Sequence, residues 1–377
     1  MISLDKEQIY LLELVKASLF GLTPEIPEDA NWEKIFEAAK AQCIVPLLAS
    51  CVPSEYKDKW NTITYQNKAH YMQMIYEQNA LVKLLNDNGI PFAILKGTAA
   101  AIYYPNPLLR SFGDIDFYVT DNYFESVQIL LENNGYHIIH NNERHYGYEK
   151  NGIEIELHNR FSCQHYNDID HIVKNGLNHA VNYTICGNCF PGISTYENGI
   201  VLLGHIMQHL KEDGIGIRQF IDWMMFVHKE LDDFAWDTHF NTLAKEAGLE
   251  KLALTATYIC KEWLGLPNEI TWCDNANEKL SEQLLIQILD DGNFGYKRAP
   301  FEIVKKSMKK EGVFKFLQKE GLSKWSLAQK YSFFRPFAWS YQLFRILFNG
   351  ISGLFIGKKV FRSGKHKMSL KRLLKSL

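Results

Sequence analysis

Residues 89–195 form a block in which the spacing of apolar residues drops to two, between long flanks where it is three to four. Asp114-Ile-Asp-Phe-Tyr-Val119 and Ile153-Glu-Ile-Glu-Leu-His158 alternate polar and apolar side chains, as strands with one buried face do. The spacing predicts helices over Gln8–Phe20, over Trp32–Ser50 with a kink at Pro46, and over Glu55–Asn88, where Asn88-Gly89 suits a helix end. Within the block it predicts a strand at Pro91–Lys96, a helix at Thr98–Tyr103, the strand at Asp114, a helix over Asn122–Asn133 capped by Thr120 or Asp121, and strands at Tyr136–His140, His145–Glu149 and Ile153–His158. From about Tyr196 the helical period returns: Glu197–Leu210, Arg218–Lys229, Trp236–Ala247, Lys251–Leu264, Asn277–Leu289 and basic helices beyond. The fold expected is α+β, with a helical N-terminal segment (1–88), a small mixed-sheet core (89–195) and a large helical C-terminal region (196–377).

Two acids two residues apart on a strand share a face, roughly 7 Å apart at about 3.4 Å per residue. Asp114 and Asp116 can therefore reach a pair of divalent ions, and carboxylate oxygens suit hard cations that also bind nucleotide phosphates. Glu154 and Glu156 offer a third acid on a later strand, able to complete a metal site or act as base toward an attacking hydroxyl. Gly97-Thr98 lies where a strand turns into a helix, a place where free backbone N–H groups can hold phosphate, and Lys96 and Arg110 add positive charge. Alone, an Asp-x-Asp strand marks a solvated face and a strand–Gly–helix turn is common in any α/β protein. Their order within a short stretch is what points to phosphoryl chemistry.

These residues resemble the polymerase-β-like nucleotidyltransferase superfamily, and more closely an uncharacterised bacterial nucleotidyltransferase family. The resemblance rests on Leu95-Lys96-Gly97, Tyr104 with Pro107, Arg110, Gly113-Asp114-Ile115-Asp116 and Glu156-Leu157-His158, and continues more loosely through His209, Arg218 and Asp222. It implies transfer of a nucleoside monophosphate from an NTP, with Asp114, Asp116 and Glu156 holding Mg2+ or Mn2+. Lys96, Gly97, Thr98, Arg110, Gly113, His158, His209 and Arg218 are then expected at the nucleotide. The acceptor, whether small molecule, RNA or protein, stays open. So does a catalytically inactive nucleotide-binding or membrane-associated scaffold.

Other signals are weaker. Seven cysteines at scattered positions form no disulfide framework, and with an acidic start unlike a signal peptide they point to the cytoplasm. Cys186-Gly-Asn-Cys189, with His179 and Cys163 nearby in sequence, reads as a turn and not a zinc site. His205 and His209 share a helix face. Residues 305–377 carry 18 Lys or Arg against Glu311 and Glu320, a net of +16, leaving −18 for the rest. Such a tail, with an aromatic stripe from Phe337 to Phe355, suits an acidic body, nucleic acid or an anionic membrane surface.

Overall fold

In the computed structural model the strands gather into one seven-stranded sheet of order β3-β4-β5-β2-β1-β7-β6. The structure describes residues 4–141, 145–161, 169–211, 214–267 and 269–293, with a few isolated residues beyond. The strands are β1 (Ala93–Leu95), β2 (Asp114–Tyr118), β3 (His137–Asn141), β4 (His145–Lys150), β5 (Ile153–His158), β6 (Val181–Ile185) and β7 (Asn188–Gly192). Pairing is antiparallel except for β2 with β5 and β1 with β7. The helices are α1 (Lys6–Phe20), α2 (Trp32–Ala41), α3 (Val45–Leu48), α4 (Lys57–Asp87), α5 (Gly97–Ala101), α6 (Asp121–Asn133), α7 (Ile169–Asn178), α8 (Thr195–Lys211), α9 (Ile217–Glu230), α10 (Asp233–Ala235), α11 (Asn241–Glu246), α12 (Glu250–Leu264) and α13 (Glu278–Asp291). The protein is α+β, as the change of period implied.

Local chemistry explains most boundaries. Asp5 and Gln8 form a capping box that starts α1. Where one kinked helix was expected over Trp32–Ser50, α2 stops at Ala41 and α3 restarts at Val45, across Cys43 with φ 56°. Pro46 sits in the first turn of α3, where its missing N–H costs nothing. Thr120 does occupy the N-cap of α6, but its side chain makes no capping bond. The helix expected over Trp236–Ala247 is divided into a π-turn at Trp236–Phe240 and then α11.

The sheet has two unlike faces. Ile115 and Phe117 of β2 with Ile153, Ile155 and Leu157 of β5 pack against Met74, Ile75, Leu81 and Leu85 of α4 and Val127 and Leu131 of α6. Since side chains alternate, the opposite face receives Asp114, Asp116, Glu154, Glu156 and His158. N-terminal and C-terminal helices meet: Gln8 Nε2 donates to Asp290, Gln42 Nε2 donates to Ile288 O, and Gln42 Oε1 accepts from Ile217 N. Met1–Phe294 form one compact unit and Gly295–Ser376 a second. Among the described residues no helix is long and apolar enough to cross a membrane. The basic tail and most of its aromatic stripe lie outside the described residues, as does Cys163.

Candidate active site

The parallel register of β2 and β5 places Asp114 beside Glu154, Asp116 beside Glu156 and Tyr118 beside His158. Leu95 of β1 lies opposite Asp116 from the other side. The next residue, Lys96, turns the chain into α5 with φ 47° and ψ −130°, a conformation that costs a non-glycine residue of order 1–3 kcal/mol. Gly97 follows at φ 23°. A Cβ there would meet Asp114 O and Phe112 at an ordinary 3.6 Å, so the requirement for glycine comes from the backbone and not from crowding. The strained turn directs Lys96 Nζ to Asp116 Oδ1 at 2.6 Å.

A pocket of about 250 Å³ opens over this face. It is lined by Lys96, Gly97, Arg110, Phe112, Asp114, Asp116, His145, Glu156, His158, Phe161, His205, Gln208, His209 and Arg218. The sequence-predicted residues thus converge here except Thr98 and Gly113. Thr98 is buried on the other side of the turn, its hydroxyl donating to Gln78 Oε1 at 2.6 Å. It does not reach the pocket, and a helix of five residues has little dipole to offer a phosphate. Gly113 is exposed, with nothing within 4 Å of where a Cβ would sit. Phe112, His145, Phe161 and Gln208 join the wall without having been singled out in sequence. His145 was reachable, since it stands opposite His158 in the β4–β5 ladder.

Charge is tightly balanced. Asp116 Oδ1 accepts from Lys96 and, at 2.8 Å, from His158 Nε2. His158 Nε2 also lies 3.3 Å from Glu156 Oε2, and His145 Nε2 lies 3.2 Å from Glu156 Oε1. Burial, with the charges of Asp116 and Glu156, pushes the Asp114 carboxyl up to about 7. Burial also pushes Glu156 up, but hydrogen bonds from His145 and His158 outweigh it and hold that carboxyl well below the usual range. Glu156 therefore suits ion binding better than proton abstraction. Burial lowers Lys96, yet the surrounding carboxylates more than offset this and raise it. His158 is likewise raised, the bonds to Asp116 and Glu156 exceeding the effects of burial and Lys96.

Glu154 takes a different partner, His140 Nε2 at 2.7 Å, and does not line the pocket. Arg110 lines it but is tied back: Nε and Nη2 donate to the two oxygens of Asp222, which also accepts from Tyr104 Oη. From α8, His209 and His205 share a hydrogen bond between Nε2 atoms at 2.6 Å, and burial followed by the charge of His209 keeps His205 well below its ordinary value. Arg218 of α9 donates to Ser111 O from the pocket wall.

Among the described residues two groups can hold an ion, Asp116–Glu156–His158 and His140–His145–Glu156. Neither contains Cys186 or Cys189. Cys186 is the first residue of the two-residue hairpin turn joining β6 and β7, Cys186-Gly187, with φ 49° and 78°, and Cys189 lies in β7.

The antibiotic-resistance factor ANT(2'')-Ia, in its solution structure, resembles the chain at TM-score 0.34 and 10% identity, over 51% of this chain and 96% of its own. An antigenic nucleotidyltransferase-like protein from Paracoccidioides brasiliensis does so at TM-score 0.29 and 15% identity, over 47% of this chain and 90% of its own. Likenesses that distant carry no argument about activity, and no curated protein matches the chain. The sequence match is broader: residues 28–265, more than half the chain and spanning every residue of the pocket, fit the model of one family. The chain belongs to the uncharacterised nucleotidyltransferase family.

Proposed function

We propose that the chain transfers a nucleoside monophosphate from an NTP to an acceptor, with a divalent cation held by Asp114, Asp116 and Glu156. Family membership supports a nucleotide as substrate. The observation that carries the rest is the β2–β5 register, which sets Glu156 beside Asp116 while Asp114 lines the same pocket. The donor set suits the ion: three carboxylates line one pocket, and burial together with the charges of Asp116 and Glu156 keeps the Asp114 proton to about pH 7, a cost that a bound dication offsets. Mg2+ or Mn2+ bound there supplies positive charge to the donor phosphates and the attacking oxygen.

The chain's own residues supply the remainder. Lys96 and Arg218 put two cations on the pocket wall for a triphosphate, and His158 steers Asp116 and Glu156 through Nε2. Gly97 leaves the wall without a side chain where phosphate would approach. His205, held neutral by burial, can donate or accept without adding charge.

A nucleotide-binding protein that performs no transfer is the second reading. It is favoured by the Lys96–Asp116 contact, which occupies an oxygen the ion needs. Incubating the protein and a cell extract with α-labelled and, separately, γ-labelled NTPs separates the two. Acceptor labelling from the α position that disappears in Asp114→Asn/Asp116→Asn supports transfer. Label moving only from the γ position overturns it, and bound NTP with no label moved favours the second reading.

A further inference from the structure

On the same sheet face, β3, β4 and β5 assemble a second donor set. His140, His145 and Glu156 each offer a ligand atom, all within 4.8 Å of one another. The imidazoles of His140 and His145 meet edge to face with centroids 5.4 Å apart. His140 reaches inward across β4, and the sequence makes room for it. A Cβ on Gly147, the residue paired with His140 in the β3–β4 ladder, would lie 2.3 Å from His140 Nε2. Glycine weakens a strand interior, and here it marks the close approach of a side chain from the next strand. Glu154 accepts from Nε2 of that ring at 2.7 Å, which leaves Nδ1 as the ligand atom, the carboxylate–imidazole pairing that commonly orients a metal-bound histidine.

Two imidazoles and one carboxylate are a borderline donor set, matched to Zn2+, Co2+ or Mn2+ and poorly to Mg2+, which prefers oxygen. We propose that His140, His145 and Glu156 bind one transition-metal dication, at a position separate from the Asp114–Asp116 pair, with Glu154 orienting His140. The side chains of His140 and Glu154 are each 39% exposed, so the ion reaches the site from solvent and keeps room for a water in its coordination shell. Glu156 belongs to both ion positions, which ties occupancy of this site to the charge of the pocket.

The inference concerns metal binding alone and can fail or hold independently of nucleotide transfer. The full-length protein, freed of metal and placed in excess Mg2+ to occupy the Asp114–Asp116 pair, is titrated with Co2+ while visible d–d absorption is followed, then with Zn2+ as competitor. One equivalent of Co2+ displaced by Zn2+ is expected, with His140→Ala and His145→Ala each binding at least ~10-fold more weakly. Gly147→Ala, which displaces the His140 ring without touching a ligand, is expected to weaken binding in the same direction. Melting curves confirm that each variant is folded, and the exposed His140 makes that substitution the safest. Co2+ bound equally by folded His140→Ala, or no binding by the parent protein, overturns the site.

Discussion

Arg110 and Asp222 meet through two hydrogen bonds, Nε to Oδ1 and Nη2 to Oδ2, both 2.7 Å, with neither side chain more than 3% exposed. Tyr104 Oη donates to the same carboxylate at 2.7 Å. These partners come from the loop between β1 and β2 and from α9, the helix that carries Arg218. Breaking a buried pair leaves one charge uncompensated, so Asp222→Ala is expected to cost about 3–5 kcal/mol in urea unfolding. Replacing both, as Arg110→Met/Asp222→Leu, should recover most of that loss. A double variant as unstable as the single one would show that the pair is not what the carboxylate is for.

The Thr98 hydroxyl faces Gln78 and not the pocket. Thr98→Val leaves Gln78 Oε1 without its donor in a buried place, a cost of about 1–3 kcal/mol. NTP affinity by calorimetry should be unchanged. A marked loss of affinity with full stability would return Thr98 to the phosphate.

How far the sequence carried the reading depends on range. Alternation in 114–119 and 153–158 is local, so β2 and β5 were legible, and with them the shared face of Asp114, Asp116 and Glu156. Which strands lie side by side is not local. The parallel contacts of β2 with β5 and of β1 with Gly192 join segments separated by long crossovers, and nothing in either segment announces its neighbour. β6 and β7 are not legible in the sequence, β7 because Pro191 and Gly192 argue against a strand; of the turn expected over Cys186–Cys189, Cys186-Gly187 form one while Asn188 and Cys189 belong to β7. Arg110 shows the same limit at the site. Its charge was visible, but the partner that claims it lies 112 residues away.

Glu156 and Glu154 are two residues apart on one face, yet only Glu156 registers with Asp116 and lines the pocket. Glu156→Gln is expected to abolish α-phosphate transfer with little change in stability. Glu154→Gln, which loses a half-exposed bond to His140, should leave most of the rate. Pyrophosphate release measured for both decides it, and the reverse order of effects would assign the third acid to Glu154.

Asp114 gives the metal-free protein a pH signature. Its carboxyl rises from 3.8 to about 7 on folding, so between those values the folded chain holds a proton that the unfolded chain has released. Its contribution to stability is therefore present at low pH and lost as pH rises through that window. Asp114→Asn lacks this dependence. The variant should gain on the parent in melting temperature as pH rises from about 4 to about 7, and Mg2+ should narrow the difference. Parallel melting curves across that range would mean that the burial of Asp114 does not control its proton.

Lys96 has the sharpest test, because two roles predict opposite signs. Its Nζ sits 2.6 Å from Asp116 Oδ1, with a side chain 10% exposed, so it competes with any dication for that oxygen. It also faces the pocket in which a triphosphate would lie. Two unit charges 4 Å apart interact by about 4 kcal/mol at an effective dielectric of 20, far more than the ~1.4 kcal/mol that equals a tenfold change in affinity. Lys96→Met should therefore bind Mg2+ alone at least ~10-fold more tightly, while binding NTP more weakly in the presence of Mg2+. Calorimetry with Mg2+ alone and then with NTP measures the two separately, on protein whose melting curve shows it folded. Tighter Mg2+ with weaker NTP fits a lysine that balances the acids until the nucleotide and its ion arrive. Weaker Mg2+ binding in a folded variant would mean that Lys96 holds the acids in place for the ion, and weakened NTP binding without any change for Mg2+ would leave it a phosphate contact alone.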